Sequence, residues 1–142
     1  MIVLVGMPGS GKSSAGRQVA RRFGLPFIDS DHLIESDIGM PIKDYFAQQG
    51  EEAFRDLETA ILRRIAEDPR QCVLSTGGGS VLRPENRALL REKGTVLYLR
   101  ASPDEIYRRL RHDTKRPLLQ VADPRAKLQE LFQARDPLYR ET

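Results

Sequence analysis

The chain of 142 residues carries 23 Lys+Arg against 20 Asp+Glu, a formal charge of +3, and 39% hydrophobic residues, which suits one domain with a single core. Its charges alternate in sign instead of forming blocks, so they read as solvated helix faces and speak against a nucleic-acid partner. A lone Cys72 leaves no internal disulfide framework, no run approaches the roughly 20 apolar residues of a membrane span, and the opening MIVLVG lacks the charged start of a signal peptide; a cytoplasmic protein with no membrane partner is expected.

Along the chain, MIVLV (1–5) is a continuous apolar run, as for a strand buried on both faces. Lys12 to Phe23 reads as a helix with Ala15, Val19 and Phe23 at four-residue spacing, and PFID (26–29) as a second short strand. Residues 30–38 form a short helix that GMP (39–41) interrupts, and Ile42 to Gln49 another. From Glu51 to Asp68, Phe54, Leu57, Ile61 and Ile65 make one helical stripe. CVLST (72–76) and TVLYL (95–99) are two more buried-type strands, and between them Pro84 opens a helix that Gly94 closes. A helix from Ser102-Pro103 to about Arg111, a polar loop at 112–124, and a last helix from Arg125 to Arg135, stopped at Asp136-Pro137, complete the series. Strands alternating with helices predict an α/β fold: a three-layer α/β/α sandwich with a central parallel sheet of four to five strands and helices on both faces.

"GMPGSGKS", Gly6 to Ser13, follows the first strand and opens the first helix, matching G-x-x-x-x-G-K-[ST] in full and in the structural context the motif requires. Such a P-loop lets backbone N–H groups converge on phosphate oxygens, and the helix N-terminus adds its positive end. Gly9, Ser10, Gly11, Lys12, Ser13 and Ser14 are the candidate ATP-binding residues, with Lys12 reaching the β- and γ-phosphates and the Ser13 hydroxyl binding Mg²⁺. No strand ends in D-x-x-G or in a run of acidic residues, as in GTPases and larger ATPases. The third strand instead ends in SerThrGlyGlyGly, and the compact chain points to a small-molecule kinase.

"GMPGSGKSS", "DSD" (29–31), "FRDLE" (54–58), "TGGGSV" (76–81), "KRPLL" (115–119) and "RDPLYR" (135–140) occur in this order, and together the chain resembles shikimate kinases over residues 1 to about 140. The resemblance implies a kinase that takes ATP to ADP with Mg²⁺ and phosphorylates shikimate. It implies one P-loop kinase domain over 1–142, with a core of 1–29, 71–111 and 125–142, an acceptor-binding insertion at about 30–60 and a lid at about 112–124. A monomer is expected. The family continues past "PLYR" into a fifth strand, a loop beside the adenine and a closing helix, which this sequence does not reach; the strand at 95–99 is then expected at the sheet edge. Gluconate kinase, a catalytically silent nucleotide-binding module and a nucleic-acid-stimulated ATPase are the alternatives that the P-loop leaves.

Asp29 and Asp31, two apart on what reads as an extended segment, are expected to point the same way beyond the second strand, where ligands of α/β sheets bind. The resemblance makes Asp31 the acceptor's contact and catalytic base and places Asp29 near the magnesium; the plainer reading is that one of them, or Ser30, caps the helix at 30–38. It also makes Arg55 and Arg135 the grip on the acceptor's carboxylate. Their plainer readings are an i,i+4 pair with Glu51 and a cation at a helix C-terminus. Three consecutive glycines, 77–79, are more than a turn needs, and by the resemblance Gly78 donates to the acceptor. Arg116 matches the lid arginine, which offsets charge on the transferred phosphoryl group; either Arg108 or Arg109 stacks on adenine. His32 and His112 are read as incidental, and Cys72 as core.

Overall fold

The computed structural model describes residues 1–110 and 123–142. The elements run β1 (Ile2–Val5), α1 (Lys12–Phe23), β2 (Phe27–Asp29), α2 (Ser30–Ile38), α3 (Ile42–Glu67), β3 (Val73–Ser75), a 3₁₀ turn (Ser80–Leu82), α4 (Pro84–Lys93), β4 (Thr95–Tyr98), α5 (Pro103–Leu110) and α6 (Pro124–Glu141). The four described strands form one parallel sheet in the order β2-β3-β1-β4.

Alternation along the strands splits the core between two faces. Leu4 and Val73, with Ile2, Phe27 and Leu99, pack against Ala20 and Val19 of α1. Val3, Val5 and Leu74, with Ile28 and Val96, pack on the other side against Phe54, Ile61 and Leu62 of α3, Leu90 of α4, Ile106 of α5 and Leu128 and Tyr139 of α6. Cys72 is buried in that second cluster, as expected.

The stripe of α1 is displaced by one residue from the sequence reading. Its buried residues are Lys12, Gly16 and Ala20, while Phe23 is 64% exposed. The cause is the closeness of helix to sheet: a Cβ on Gly16 would lie 2.6 Å from the Phe27 ring and 2.9 Å from Leu4. Only the smallest side chains fit there, so a period defined by bulky residues selects the wrong face.

The two helices expected at 42–49 and 51–68 are the halves of α3, joined through Gly50 at φ 87° and ψ 168°, a conformation open to glycine alone. The bend stacks Phe46 on Phe54, ring centroids 4.8 Å apart. β4 is less buried than a central strand: Thr95 and Leu97 are exposed, because β4 pairs only with β1 and forms one edge of the described sheet.

The last helix does not stop at Asp136-Pro137. It begins at Pro124, with Asp123 as its cap, and runs through Pro137 to Glu141. A proline inside a helix removes one N–H and costs on the order of 3 kcal/mol. Here the following turn carries Tyr139, 1% exposed in the main core, and Asp136 accepts from Tyr98 (2.7 Å), Arg100 (3.1 Å) and Arg140 (2.9 Å). Tertiary contacts outweigh the local break. The expected lid lies almost wholly outside the described residues, and Arg116 and His112 with it.

Candidate active site

β1 and β3 are neighbours, so the loops leaving their carboxyl ends, Gly6–Gly11 and Thr76–Gly79, face each other across one cavity of about 870 Å³. β2 adds Asp29 and the start of α2 to its wall. Gly9, Ser10, Gly11, Lys12, Ser13, Ser14, Asp29, Asp31, Gly77, Gly78 and Arg109 all line it.

The P-loop has the backbone its glycines predict: Gly9 and Gly11 sit at φ 80° and 94°, where other residues are strained. Gly11 is the N-cap of α1 and supplies no side chain, so the first-turn N–H groups and the helix dipole open toward the cavity. The Lys12 ammonium, 8% exposed, donates to Gly6 O and Met7 O at 2.9 Å each. A Cβ on Gly9 would stand 2.7 Å from Leu110, and Arg109 donates to Gly9 O at 3.2 Å, so the end of α5 lies directly on the loop. Of the two arginines considered for adenine, Arg109 is the one that lines the cavity.

Asp29 uses its two oxygens separately. Oδ1 accepts from the N–H groups of Asp31 (3.1 Å) and His32 (3.3 Å), making Asp29 rather than Asp31 or Ser30 the cap of α2. Oδ2 accepts from Ser13 Oγ at 2.9 Å, with Ser75 Oγ 3.5 Å further along. Asp31 does not continue an extended segment, since β2 ends at Asp29 and α2 starts at Ser30; it reaches the cavity from the first turn of the helix. Burial, reinforced by the charge of Asp29, pushes its carboxyl up to about 6, against the pull of Lys12 and Arg55.

The three glycines are explained by their neighbours. None of them has a positive φ, so conformational freedom is not what selects them. A Cβ on Gly77 would lie 2.5 Å from Asp31 Oδ1; on Gly78, 2.7 Å from Pro8 and 3.3 Å from Arg135; on Gly79, 2.5 Å from the Arg55 guanidinium. Each glycine leaves room for side chains that a Cβ would displace. The loop thereby gathers Asp31, the P-loop and both arginines, although Arg55 and Arg135 stand behind Gly78 and Gly79 and are not among the cavity's own lining.

Arg55 is 12% exposed, lies against the Phe46 and Phe54 rings at 5.9 and 5.2 Å, and pairs with Glu58 Oε1 at 2.9 Å. Its Glu51 contact, the plainer reading, also exists but is longer, 3.6 Å. Arg135 is not at a helix C-terminus: α6 continues for six more residues, Asp136 to Glu141, so the dipole reading falls, and the guanidinium lies beside Gly78.

Sequence reasoning missed Glu58 and Tyr139. Glu58 is 1% exposed and sits on the apolar stripe between Phe54 and Ile61, and a charge on an inward stripe is the signal that marks it. Burial holds its carboxyl above the usual range, with Arg55 opposing. Tyr139, whose hydroxyl donates to Gly78 O at 2.6 Å, was hidden by the expected helix stop two residues before it. His32 lines the cavity, yet no metal-ligating group of His, Cys, Asp and Glu side chains occurs among the described residues.

A sequence profile described as "Shikimate kinase" matches residues 8–142. The shikimate kinase of Paracidovorax citrulli is 60% identical over 142 residues, 99% of this chain and 77% of that protein. That of Ralstonia nicotianae is 54% identical over 140 residues, covering 73% of its length. Among solved structures, "Shikimate kinase from Acinetobacter baumannii in complex with shikimate" superposes with a TM-score of 0.94 at 43% identity, covering 99% of this chain and 78% of that one. The enzyme from Aquifex aeolicus gives 0.85 at 30% identity, with 99% and 82% covered. With the profile matched over nearly its whole length and 60% identity to a named member, the chain belongs to the shikimate kinase family.

Proposed function

We propose that this chain transfers the γ-phosphoryl group of ATP to the 3-hydroxyl of shikimate, giving ADP and shikimate 3-phosphate. The observation that carries the reading is the placement of Asp31: its carboxylate touches Gly77 of the acceptor loop and faces the same cavity as Lys12 and Ser13 of the P-loop. The neighbour solved with shikimate supports the choice of acceptor.

In this reading the acceptor lies against Gly77–Gly79 with its carboxylate toward Arg55 and Arg135, two planar forks suited to a carboxylate. Its hydroxyl faces Asp31. The oxygen attacks the γ-phosphorus, the bond to the β-phosphate oxygen breaks, and Asp31 receives the hydroxyl proton. A carboxyl near 6 is mostly ionised at neutral pH yet basic enough to accept that proton in the transition state. Lys12 and the α1 N-terminus hold the phosphates, and transfer depends mainly on positioning and electrostatics. Arg116 belongs to this reading through the family resemblance alone.

Mg²⁺ fits the oxygen donors present: the Ser13 hydroxyl and Asp29 carboxylate already meet at 2.9 Å beside the helix N-terminus. Bound with ATP, the ion neutralises charge shared by the β- and γ-phosphates. The enzyme acts as a monomer in the cytoplasm and has no nucleic-acid partner. No helix among the described residues is long and apolar enough to cross a membrane.

An assay of ADP release with and without shikimate tests the proposal, with gluconate as the competing acceptor. Shikimate-dependent release alone supports it. Release driven by gluconate, or ATP binding with no acceptor-dependent turnover, overturns it.

A further inference from the structure

Three glycines in a row have little to hold their peptide planes, yet this loop is pinned at every carbonyl. Gly77 O accepts from the N–H (3.1 Å) and the hydroxyl (2.8 Å) of Ser80, and Gly79 O accepts from Leu82 N–H (3.1 Å). These are local bonds of the turn. Gly78 O is held differently, by the Tyr139 hydroxyl at 2.6 Å, from 61 residues along the chain.

A peptide unit is planar, so fixing its carbonyl fixes the opposite N–H. Ser80 therefore aims the N–H of Gly78, and Tyr139 aims the N–H of Gly79. Neither N–H donates to an acceptor among the described residues. Both belong to the loop that also touches Pro8, Arg55 and Arg135. Tyr139 lies one helical turn after Arg135 on α6, so one helix face carries both the guanidinium beside Gly78 and the pin for its carbonyl. The tyrosine is itself rigid: 1% exposed, its ring 5.0 Å from that of Tyr98, and its hydroxyl raised to about 12 by burial against the opposing charges of Arg135 and Arg55. It stays a protonated donor at any working pH.

We infer that Tyr139 is a positioning residue for the acceptor: through Gly78 O it orients the Gly79 N–H toward the bound acceptor and locks α6, with Arg135, to the acceptor loop. The inference rests on the reading that shikimate lies against Gly77–Gly79.

Tyr139→Phe removes the pin and keeps the ring. Tyr98→Phe removes the neighbouring hydroxyl, which bonds Asp136 and not the loop, and serves as the control. Two readouts are needed. The first, ¹⁵N relaxation without any acceptor, reports whether the Gly79 amide loses order; an order parameter falling from about 0.85 to below about 0.6 in Tyr139→Phe alone is expected. The second is steady-state kinetics. Tyr139→Phe should raise KM for shikimate about five- to tenfold, with kcat and KM for ATP within about twofold, and Tyr98→Phe should leave both KM values unchanged. An ordered Gly79 with an unchanged KM for shikimate overturns the inference. Equal weakening of both substrates together with a lowered Tm also overturns it, because that is what a merely structural hydroxyl would do. If the parent chain shows no turnover with shikimate, the proposed acceptor falls, and the relaxation experiment still decides whether Tyr139 orients the loop.

Discussion

Arg55 and Glu58, three residues apart on α3, form an ion pair of 2.9 Å in which the carboxylate is 1% exposed and the guanidinium rests against Gly79. The pair is costly to assemble, since both charges leave water, and its worth lies in aiming Arg55 at the acceptor loop.

Breaking that pair should be felt in stability and in binding. Glu58→Ala leaves a largely buried guanidinium without its principal partner, and a loss of about 3 kcal/mol is expected, with weaker shikimate binding. Glu58→Gln keeps an acceptor for Arg55 and should lose less in both. Chemical denaturation and shikimate titration of the two variants check this. Equal, small effects in both would show that Arg55 is positioned by Phe46 and Phe54 alone.

Alanine at the glycines should separate two functions a few ångströms apart. In Gly77→Ala the new methyl meets Asp31, and in Gly79→Ala it meets Arg55, each at about 2.5 Å. The first variant should lose mainly kcat and the second mainly shikimate affinity, each by about tenfold or more. Steady-state kinetics on both would show the contrast, and identical kinetic defects would mean that the loop shifts as a whole.

Asp31 links activity and stability through pH. Its carboxyl is raised from 3.8 to about 6, so the folded state takes up a proton more readily than the unfolded chain. The resulting stabilisation is fully present below about 3.8 and is lost as pH rises through about 6. At pH 7–8 the ionised group should therefore cost on the order of 2–3 kcal/mol. Asp31→Asn should be inactive or nearly so, yet more stable than the parent at pH 8, with the advantage shrinking toward pH 4. In the parent, kcat should fall with acid around pH 6. Thermal unfolding across this range, paired with a pH–rate profile, tests both halves. A parent and an Asn variant with parallel stability curves would remove the raised carboxyl from the account.

Lys12→Ala should lower kcat/KM by at least about 100-fold, because a charge aimed at the transferred phosphates is lost from a sheltered site. The strands beneath the loop do not depend on it, so Tm should change by only a few degrees. Near-parental turnover would mean that Lys12 serves the backbone carbonyls of Gly6 and Met7 and not ATP.

The sequence alone determined the P-loop and the alternation of elements, both of which are written in local pattern. A buried run before GMPGSGKS and a helix after it specify a P-loop without reference to any other part of the chain, and the alternation of strands and helices specifies a parallel sheet. The boundaries of β1, α1 and α4 and the start of α5 follow from glycine, proline and capping residues, which act within a few positions. Asp29, Asp31, Arg55 and Arg135 were legible as candidates from their motifs, and only the fold shows that Asp31, Arg55 and Arg135 gather around one loop, with Asp29 in the wall of the cavity it faces.

Tertiary structure decided what distance along the chain conceals. Helix α6 crosses Pro137 because Tyr139 and Asp136 find partners on Gly78 and Tyr98, contacts 61 and 38 residues away that outweigh a missing N–H. Glu58 faces inward because Arg55 needs a counter-charge beside Gly79, although its residue type alone places it in solvent. The three glycines are visibly more than a turn needs in the sequence, but which side chains they make room for, Asp31, Pro8 and Arg135, and Arg55, is set only by the fold. Local propensity sets the elements at energies of at most about 1 kcal/mol for most residues, whereas burying a tyrosine contributes about 2–3 kcal/mol and leaving a buried charge unpaired costs about 3–5 kcal/mol. Where the two conflict in this chain, the long-range contact wins: at Pro137 and Glu58 beside the acceptor loop, and at Gly16, where the Phe27 ring and Leu4 decide which face of α1 is buried.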